Sequence, residues 1–419
     1  MQTNGTLPLR QALPDQACLR SAVAASALAL GLGPSLGHTA LADRGHGFAP
    51  AASASITWDS NLLNRPDTGP GPRPQSDMVT RLQAGADFDL LMGPHQLTGQ
   101  VSAIQNRHDN FRERNTDGYI AQIKWAVPLS ETLKSEVELG QLSDQAPIQT
   151  GQSTAVKRDR DNQGIALNWV FHPEYALGFL HQQSQTRFAG VNGTQDPALA
   201  GLNRDDTLNA VSFAYQPSTG SQLGIAFKHS EGDFPIRQVI APGVSVSNNF
   251  RQDETELFLR WNASDLNTVG AAVSNVERRH DEFTGRNYSG INYRLEWQYR
   301  PASQLQFNVS TARQIIGISD VTNSDALARQ FSLEAAWALS AATTLRLSHR
   351  PQRLEFNGTD GLGLTARNDR LTDNSLSLDW RVSTRLLLTA LLRQRERESS
   401  LPNSDYSADS FSLFLKYAY

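Results

Sequence analysis

Two groups of side chains in this sequence are of the types that catalyse reactions or bind metal ions. His181 stands shortly before Ser184, and His280 is followed directly by Asp281 and Glu282. Neither spacing matches a nucleophile elbow, a zinc-protease motif or a phosphate-binding loop, and the sequence has no cluster of cysteine and histidine. We therefore predict that the protein is not an enzyme and has no cofactor or metal. A membrane-embedded lipid or polysaccharide hydrolase is the catalytic alternative.

A second set of chemically active residues is charged or polar and recurs at every other position. In residues 290–299, the polar side chains of Asn292, Arg294, Glu296 and Gln298 alternate with apolar and aromatic ones. A period of two predicts a β-strand with one polar and one apolar face. Because a charge facing lipid costs about 2–4 kcal/mol near the bilayer midplane, we expect the polar faces to line a lumen. The residues predicted to line it are Arg81, Asp87, Asp89, Lys124, Glu136, Glu138, Lys228, Glu254, Glu256, Arg260, Asn292, Arg294, Glu296, Gln298, Arg346, Asp379 and Arg381.

These inner-wall charges allow two interpretations. They pair across neighbouring strands and simply hydrate the lumen, or they form a path for a polar, weakly charged polymer. Both interpretations use the same residue types, and the sequence does not separate them.

Composition limits the class of protein. The chain has 419 residues, of which 39% are hydrophobic, and a mean hydropathy of −0.43. Outside the N-terminus no apolar run reaches the roughly 18 residues of a membrane helix, whereas a β-barrel needs only alternate apolar residues. The net charge of −4 excludes a strongly basic nucleic-acid-binding protein. Cys18 is the single cysteine, so a disulfide within the chain is excluded.

The N-terminus has the pattern of a targeting segment. Arg10 and Arg20 precede a small, apolar stretch at residues 21–32, and an Ala-Leu-Ala cleavage signature ends at Ala42. We predict a signal peptide over residues 1–42 and a single barrel domain over residues 43–419. The expected location is the outer membrane of a Gram-negative bacterium, after cleavage.

Strands in the mature chain alternate with two kinds of connection. The first strand is predicted at residues 51–60 and the clearest early strand at residues 78–92, which a Gly-Pro turn follows. Short turns and long polar loops then alternate along the chain. This pattern predicts an all-β fold, a single up-and-down antiparallel transmembrane barrel with both termini in the periplasm. We count about 18 strands, with roughly 16 as the alternative.

Aromatic residues mark one end of the predicted strands. Six of the seven tryptophans stand shortly before a short turn and on the apolar phase of their strand. Two tyrosines take the same place in two further strands. An interfacial aromatic girdle at the periplasmic side has this arrangement. Its predicted members are Trp125, Trp169, Tyr215, Trp261, Trp297, Trp337, Trp380 and Tyr417.

The last ten residues, SFSLFLKYAY, read as a strand with one apolar face and a terminal aromatic residue. An exposed apolar edge strand is an aggregation hazard in a soluble protein, but in a closed barrel it pairs with the first strand. Such a strand resembles the signal that outer-membrane barrels present to the barrel assembly machinery. The residues of this predicted assembly signal are Phe411, Leu413, Leu415, Tyr417 and Tyr419.

Two short motifs resemble a known family, the EpsL-type exopolysaccharide-operon proteins of the β-barrel porin type 2 class. The first motif lies at the end of the first predicted strand and comprises Asp59, Asn61, Leu62, Arg65, Pro66 and Asp67. The second resembles a late hairpin of the family and comprises Ser289, Gly290, Trp297, Pro301 and Arg313. The likeness in strand layout extends over the mature chain.

The resemblance implies a channel through which exopolysaccharide crosses the outer membrane, without catalysis. The implied partners are outer-membrane lipid, exopolysaccharide and the barrel assembly machinery, with a periplasmic polysaccharide-export protein as a further candidate. A general or sugar-selective diffusion porin is the alternative, and nucleic acid is not an expected partner.

Overall fold

The computed structural model describes residues 47–69, 71–146, 155–190, 197–241, 243–282, 284–317, 325–356 and 367–418. The predicted signal peptide at residues 1–42 and the terminal Tyr419 lie outside these ranges. Within them, no helix is long and apolar enough to cross a membrane.

The described residues form a sheet of eighteen long antiparallel strands and one small separate hairpin. The separate hairpin consists of β10 (Gln238–Ala241) and β11 (Val244–Val246). The long strands are β1 (Gly47–Asp59), β2 (Asp77–Met92), β3 (His95–His108), β4 (Thr116–Pro128), β5 (Leu133–Gln145), β6 (Val156–His172), β7 (Tyr175–Gly190), β8 (Arg204–Tyr215), β9 (Gln222–Asp233), β12 (Phe250–Ser264), β13 (Asn267–His280), β14 (Tyr288–Ala302), β15 (Leu305–Gly317), β16 (Asp325–Ala338), β17 (Thr343–Phe356), β18 (Arg367–Arg381), β19 (Leu386–Ser399) and β20 (Tyr406–Ala418).

Each long strand pairs with its neighbours in the chain, and the sheet closes on itself. β9 pairs with β12, and β1 pairs with both β2 and β20. Closure removes the free sheet edges, which the hydrocarbon core of a membrane does not tolerate. The predicted all-β, up-and-down antiparallel barrel is thus confirmed, with eighteen strands among the described residues rather than the alternative sixteen.

Connections of two lengths place the strand ends in two groups. The connections β2–β3, β6–β7 and β12–β13 have two residues each, and Gly93 adopts the positive φ of 61° that the first of these turns requires. The intervening connections are longer and carry a short helix, α1 (Pro197–Ala200), and two 3₁₀ turns, Arg112–Arg114 and Thr284–Arg286. We refer to the short-turn end and the long-loop end of the barrel.

The first strand is longer than the sequence predicts. We expected it at residues 51–60, but β1 starts at Gly47 and ends at Asp59. Its added residues pair with the far end of β2, where Phe48 lies opposite Phe88 with ring centroids 5.8 Å apart. Pro50 and the neighbouring small residues weaken the local strand signal, and pairing with β2 overrides that weakness.

The outer face of the wall is apolar at mid-height. Leu257 on β12 is 54% exposed and lies opposite Val273 of β13, which lies in turn opposite Tyr293 of β14. On the far side of the barrel, Leu413 of β20 lies opposite Ile56 of β1. A band of large apolar side chains turned away from the lumen is the surface that a transmembrane barrel presents to lipid.

Near the long-loop end the wall splits between β14 and β15, and the end of the β15–β16 hairpin, which stays paired with β17, bends into the lumen. Pairing between β14 and β15 ends at Tyr293 and Arg313, whereas pairing between β15 and β16 continues to Gly317 and Asp325. We call the part beyond this point, residues 314–317 with 325–328, the inner hairpin. Its Ala326 and Ala328 are 0% and 2% exposed, so this strand end is enclosed rather than turned towards lipid.

The contacts of the inner hairpin show its position. Ile315 and Leu327 pack against Val276 of β13 and Tyr288 of β14, both of which belong to the inner face of the wall. Further along the hairpin, a Cβ atom at Gly317 would lie 2.6 Å from Nη1 of Arg204 on β8. Gly317 therefore lets the Arg204 guanidinium lie close to the hairpin backbone, and a larger residue there would make that side chain shift.

Because the outer face of the wall is apolar, an added charge should destabilise the barrel much more on that face than on the inner face. We expect Leu257→Arg to lower the free energy of unfolding by about 2–4 kcal/mol, because the new charge meets lipid near mid-height. The matched variant Ser310→Arg places the same side chain on the inner face of β15, where we expect less than about 1 kcal/mol. Denaturant unfolding in lipid vesicles measures both values. Equal losses for the two variants would contradict the assignment of faces.

Candidate functional site

The polar side chains predicted to line a lumen all lie on the inner face of the wall. Cross-strand pairing fixes this face, because residues opposite each other in neighbouring strands point to the same side. Asp87 lies opposite Gln100, for example, and Gln100 lies opposite Gln122. The inner-face residues from this predicted set are Arg81, Asp87, Asp89, Lys124, Glu136, Glu138, Lys228, Glu254, Glu256, Arg260, Asn292, Arg294, Glu296, Gln298, Arg346, Asp379 and Arg381. That they form a solute path stays a prediction.

Two lysines, on different parts of the inner wall, each form ion pairs with glutamates of a neighbouring strand. Lys124 of β4 lies 2.6 Å from Oε1 of Glu136 on β5. Lys228 of β9 lies 2.9 Å from Oε2 of Glu256 and 3.4 Å from Oε1 of Glu254, both on β12. Glu138 also lies opposite Lys124, so each lysine has two glutamates beside it.

Other predicted residues form pairs along or between strands. Arg294 Nε lies 3.3 Å from Glu296 Oε1 on the same strand. Arg346 of β17 pairs with Asp379 of β18, whose Oδ1 also accepts a hydrogen bond from the Thr389 hydroxyl at 2.7 Å. Much of the inner-wall charge is therefore neutralised between neighbouring strands.

A row of inner-face arginines on β19 was not predicted from the sequence. Arg393 pairs with Asp373, and Arg395 Nη2 lies 2.6 Å from Oδ2 of Asp59 on β1. Arg397 continues the row and lies 2.9 Å from Asp369. The outer face of this strand end is also polar, with Gln394 and Glu396, so the period-two signal disappears. The three arginines at alternate positions are the sequence pattern that could have predicted this row.

A buried ionic cluster holds the inner hairpin against the wall. The Asp325 carboxylate pairs with Arg278 and lies 2.8 Å from Nε2 of His280, both on β13. Arg278 also donates to Oε1 of Gln252 at 2.9 Å and lies over the ring of Phe250, 4.1 Å from its centroid. The side chains of Arg278, His280 and Asp325 are at most 7% exposed. We call these three residues the hairpin latch.

The loop beside the latch contributes a further cation. Arg286, in the 3₁₀ turn, donates to Asn248. Burial lowers the pKa of the Arg286 guanidinium, and the charge of Asp325 opposes this shift. Asp325 is thus the anion that this group of cations shares.

An internal sequence repeat underlies the latch, and we did not predict it. Residues 107–125 and 279–297 share eight identities at the same spacing, the sequence RHDxFxxRN followed by a common glycine and tryptophan. The two copies also share a local hydrogen bond. The Asn115 side chain accepts from the backbone N–H of His108 at 2.7 Å, and the Asn287 side chain accepts from the backbone N–H of His280 at 2.8 Å. A search for self-similarity would have found it.

A cavity of about 1070 Å³ occupies the lumen between these groups. Its lining comes from inner-face residues of β2 to β9 and β12 to β14, and from the inner hairpin at Gln314–Gly317. Both signs of charge face it, with Lys124, Glu136 and Arg160 among its lining residues. A wet, charged cavity of this size accommodates a small polar molecule.

The predicted girdle residues lie on the outer face near the short-turn end. Trp261 is 53% exposed and lies opposite Val269, and Trp297 Nε1 donates to Asn267 Oδ1 at 3.3 Å. The residues in this position are Trp125, Trp169, Tyr215, Trp261, Trp297, Trp337, Trp380 and Tyr417. Their role at a membrane interface stays a prediction.

The predicted assembly signal lies in β20, on the seam that closes the barrel. Phe411, Leu413, Leu415 and Tyr417 are outward and lie opposite alternate residues of β1. Tyr419 lies outside the described residues. That this strand is recognised during assembly stays a prediction.

The residues considered for catalysis are not brought together. His181 faces outward and lies 2.8 Å from Asn209 Oδ1, whereas Ser184 faces the cavity. Glu282 accepts two hydrogen bonds from Arg237, at 2.6 Å each, which lower the pKa of its carboxyl. In the ranges that the structure describes, no group of three or more His, Cys, Asp or Glu side chains is arranged to hold a metal ion.

The fold and the polar lumen are those of a porin-like β-barrel. The family model described as "Putative beta-barrel porin 2" matches residues 259–419, which reach from β12 to the C-terminus. No curated protein matches the chain.

Solved structures with the same architecture come from bacterial porins. OpdK of Pseudomonas aeruginosa, crystallised with vanillate, is 13% identical with a TM-score of 0.51, over 89% of this chain and 98% of that one. A BenF-like porin of Pseudomonas fluorescens Pf-5 is 9% identical with a TM-score of 0.51, over 88% and 98%. At these identities the likeness establishes the fold.

The hairpin latch makes a prediction about channel width. Asp325→Asn removes the shared anion and leaves Arg278 buried without its ionic partner, a loss of about 3–5 kcal/mol in the attachment of the hairpin. We therefore expect a larger single-channel conductance in planar bilayers. The control Asp253→Asn removes a carboxylate from the outer face of β12, where Asp253 pairs with His229. A conductance that Asp325→Asn does not change would show that the latch does not set the width.

Proposed function

We propose that the protein is an outer-membrane channel for the diffusion of small polar solutes. The observation that carries this proposal is a lumen narrowed from within, because the inner hairpin occupies part of a barrel that eighteen strands make wide. The cavity of about 1070 Å³ beside the hairpin suits one small solute and its hydration water. The fold shared with bacterial porins supports the same conclusion.

Charge on the inner wall supports passage of hydrated, polar molecules. Paired charges such as Lys124 with Glu136 keep the wall wet without a large net field. The apolar outer band supports a location in the outer membrane. We further propose that residues 1–42 are cleaved during export and that β20 is the strand recognised during assembly.

Liposome swelling tests the size limit. Vesicles that contain the purified barrel should swell fast in isotonic glucose, more slowly in sucrose and hardly at all in a large dextran. The narrowed lumen is the reason, because entry becomes steeply unfavourable once a solute exceeds the cavity. Protein-free vesicles are the control. Swelling that is absent with all sugars, or equally fast with dextran, would refute a diffusion channel for small solutes.

A second candidate is a conduit in exopolysaccharide secretion, and an ordered motif favours it. Asn61, the centre of the first EpsL-like motif, is 1% exposed. Its side chain accepts from the Arg65 N–H at 2.9 Å and donates to the carbonyls of Arg65 and Ser407. The motif thus has a defined structure at the seam between β1 and β20. In this alternative, a periplasmic export protein docks at the short-turn end.

Polysaccharide analysis separates the two candidates. A strain without the gene is compared with a complemented strain for secreted, surface-bound and periplasmic polymer. Loss of surface polymer with periplasmic accumulation would support secretion. Normal polymer together with slower uptake of small sugars would support diffusion.

A further inference from the structure

Four arginines converge on the lumen at its long-loop end. All belong to the inner face of the wall and come from β2, β6 and β8. We call them the arginine cluster, which consists of Arg81, Arg158, Arg160 and Arg204.

Two carboxylates partner this cluster. Arg158 forms a bidentate contact with Asp144, with Nε to Oδ1 at 3.0 Å and Nη2 to Oδ2 at 2.8 Å. Arg204 Nε donates to Asp206 Oδ2 at 2.7 Å. Each carboxylate therefore already has one close arginine partner.

The other two arginines are left without ionic partners. Arg160 makes one side-chain contact, from Nε to the Thr186 hydroxyl at 3.4 Å, and forms no ion pair with any residue that the structure describes. Arg81 likewise pairs with none of the described residues and has only the longer-range field of Asp144. Around Arg160 the guanidinium groups of Arg158 and Arg204 add repulsion, which the more distant carboxylates of Asp206 and Asp144 oppose.

Uncharged polar side chains lie near Arg160 on the cavity wall. Arg160 lines the cavity together with the uncharged side chains of Asn162, Gln182 and Ser184. The inner hairpin bounds the same space, where Gly317 lies against Arg204. A molecule that enters from the long-loop end meets these groups inside the narrowed part of the lumen.

We propose that Arg160 is the centre of an anion subsite that binds the carboxylate of a small, hydroxylated solute. This inference rests on the proposed diffusion function and assigns it a preferred solute class, sugar acids. The planar guanidinium donates two parallel hydrogen bonds to a carboxylate, which neutralises one of the two positive charges that the arginine cluster has in excess of Asp144 and Asp206. The amide and hydroxyl groups nearby then bind the solute hydroxyls.

Single-channel recording tests the subsite. Gluconate added on the long-loop side of the purified channel should interrupt the KCl current when it binds. We expect Arg160→Gln to raise the gluconate concentration for half-maximal block about tenfold, as the loss of a charged hydrogen bond implies. Arg160→Lys, which keeps the charge but not the bidentate geometry, should show an intermediate value.

The matched control is Arg260→Gln. Arg260 is also on the inner face and has no ion pair among the described residues, but it lies near the short-turn end, opposite Gln222. It should leave gluconate block unchanged. Folding of every variant is checked by its heat-dependent shift on a denaturing gel.

Two results would overturn the subsite: equal block in the wild type and Arg160→Gln, or an equal loss in Arg260→Gln. Failure of the diffusion function itself has a different signature, because liposomes with the wild-type channel would then not swell in glucose. Normal swelling in glucose without gluconate block would leave the diffusion function standing and refute the subsite alone.

Discussion

Closure of the sheet between β1 and β20 is the constraint on which the structure depends. A membrane offers no water to backbone groups, so an open edge at this seam would leave a row of unpaired N–H and C=O groups in lipid. The seam is reinforced on the inner face, where the Thr57 hydroxyl donates to the Ser412 hydroxyl at 2.8 Å. At the long-loop end, Arg395 reaches across to Asp59. The same contact ties the first EpsL-like motif to the barrel wall.

Closure with eighteen strands creates a second problem, since such a cylinder is too wide for side chains alone to fill. The inner hairpin and the ionic pairs of the wall solve it in different ways. The hairpin packs Ile315 and Leu327 on Val276 and so supplies an apolar contact inside an otherwise wet lumen. Its latch buries charges, which adds little net stability but fixes the hairpin through contacts to both Arg278 and His280. The narrow part of the lumen therefore has a defined shape.

The sequence predicts the wall well because the wall follows a strict period of two. In residues 290–299 every polar side chain falls on one face, and the cost of a charge in lipid leaves no other arrangement. The inner hairpin follows a different rule. Ile315 and Ile316 are consecutive, as are Ala326, Leu327 and Ala328, since a hairpin enclosed on both sides has no polar face.

The period-two pattern does not predict which charged residues on distant strands form ion pairs. Asp325 meets Arg278 from a strand three places away, and which carboxylate satisfies which arginine depends on three-dimensional distances that periodicity does not encode. The proximity of Arg160 to Arg204, and the space between them, likewise depend on three-dimensional distances.

The repeated loop shows how a latch arises from an ordinary turn. In the first copy the buried His108 is satisfied locally, because Asp77 at the start of β2 lies 2.9 Å from its Nδ1. The N–H of Asp109 bonds the Met78 carbonyl, just as the N–H of Asp281 bonds that of Asn249, so Asn248 takes the place of Asp77 in the second copy. An amide there supplies no negative charge. His280 and Arg278 pair instead with Asp325 of the inner hairpin. Arg278 itself stands where the first copy has Asn106, so two differences of residue type separate the self-contained loop from the attachment point inside the lumen.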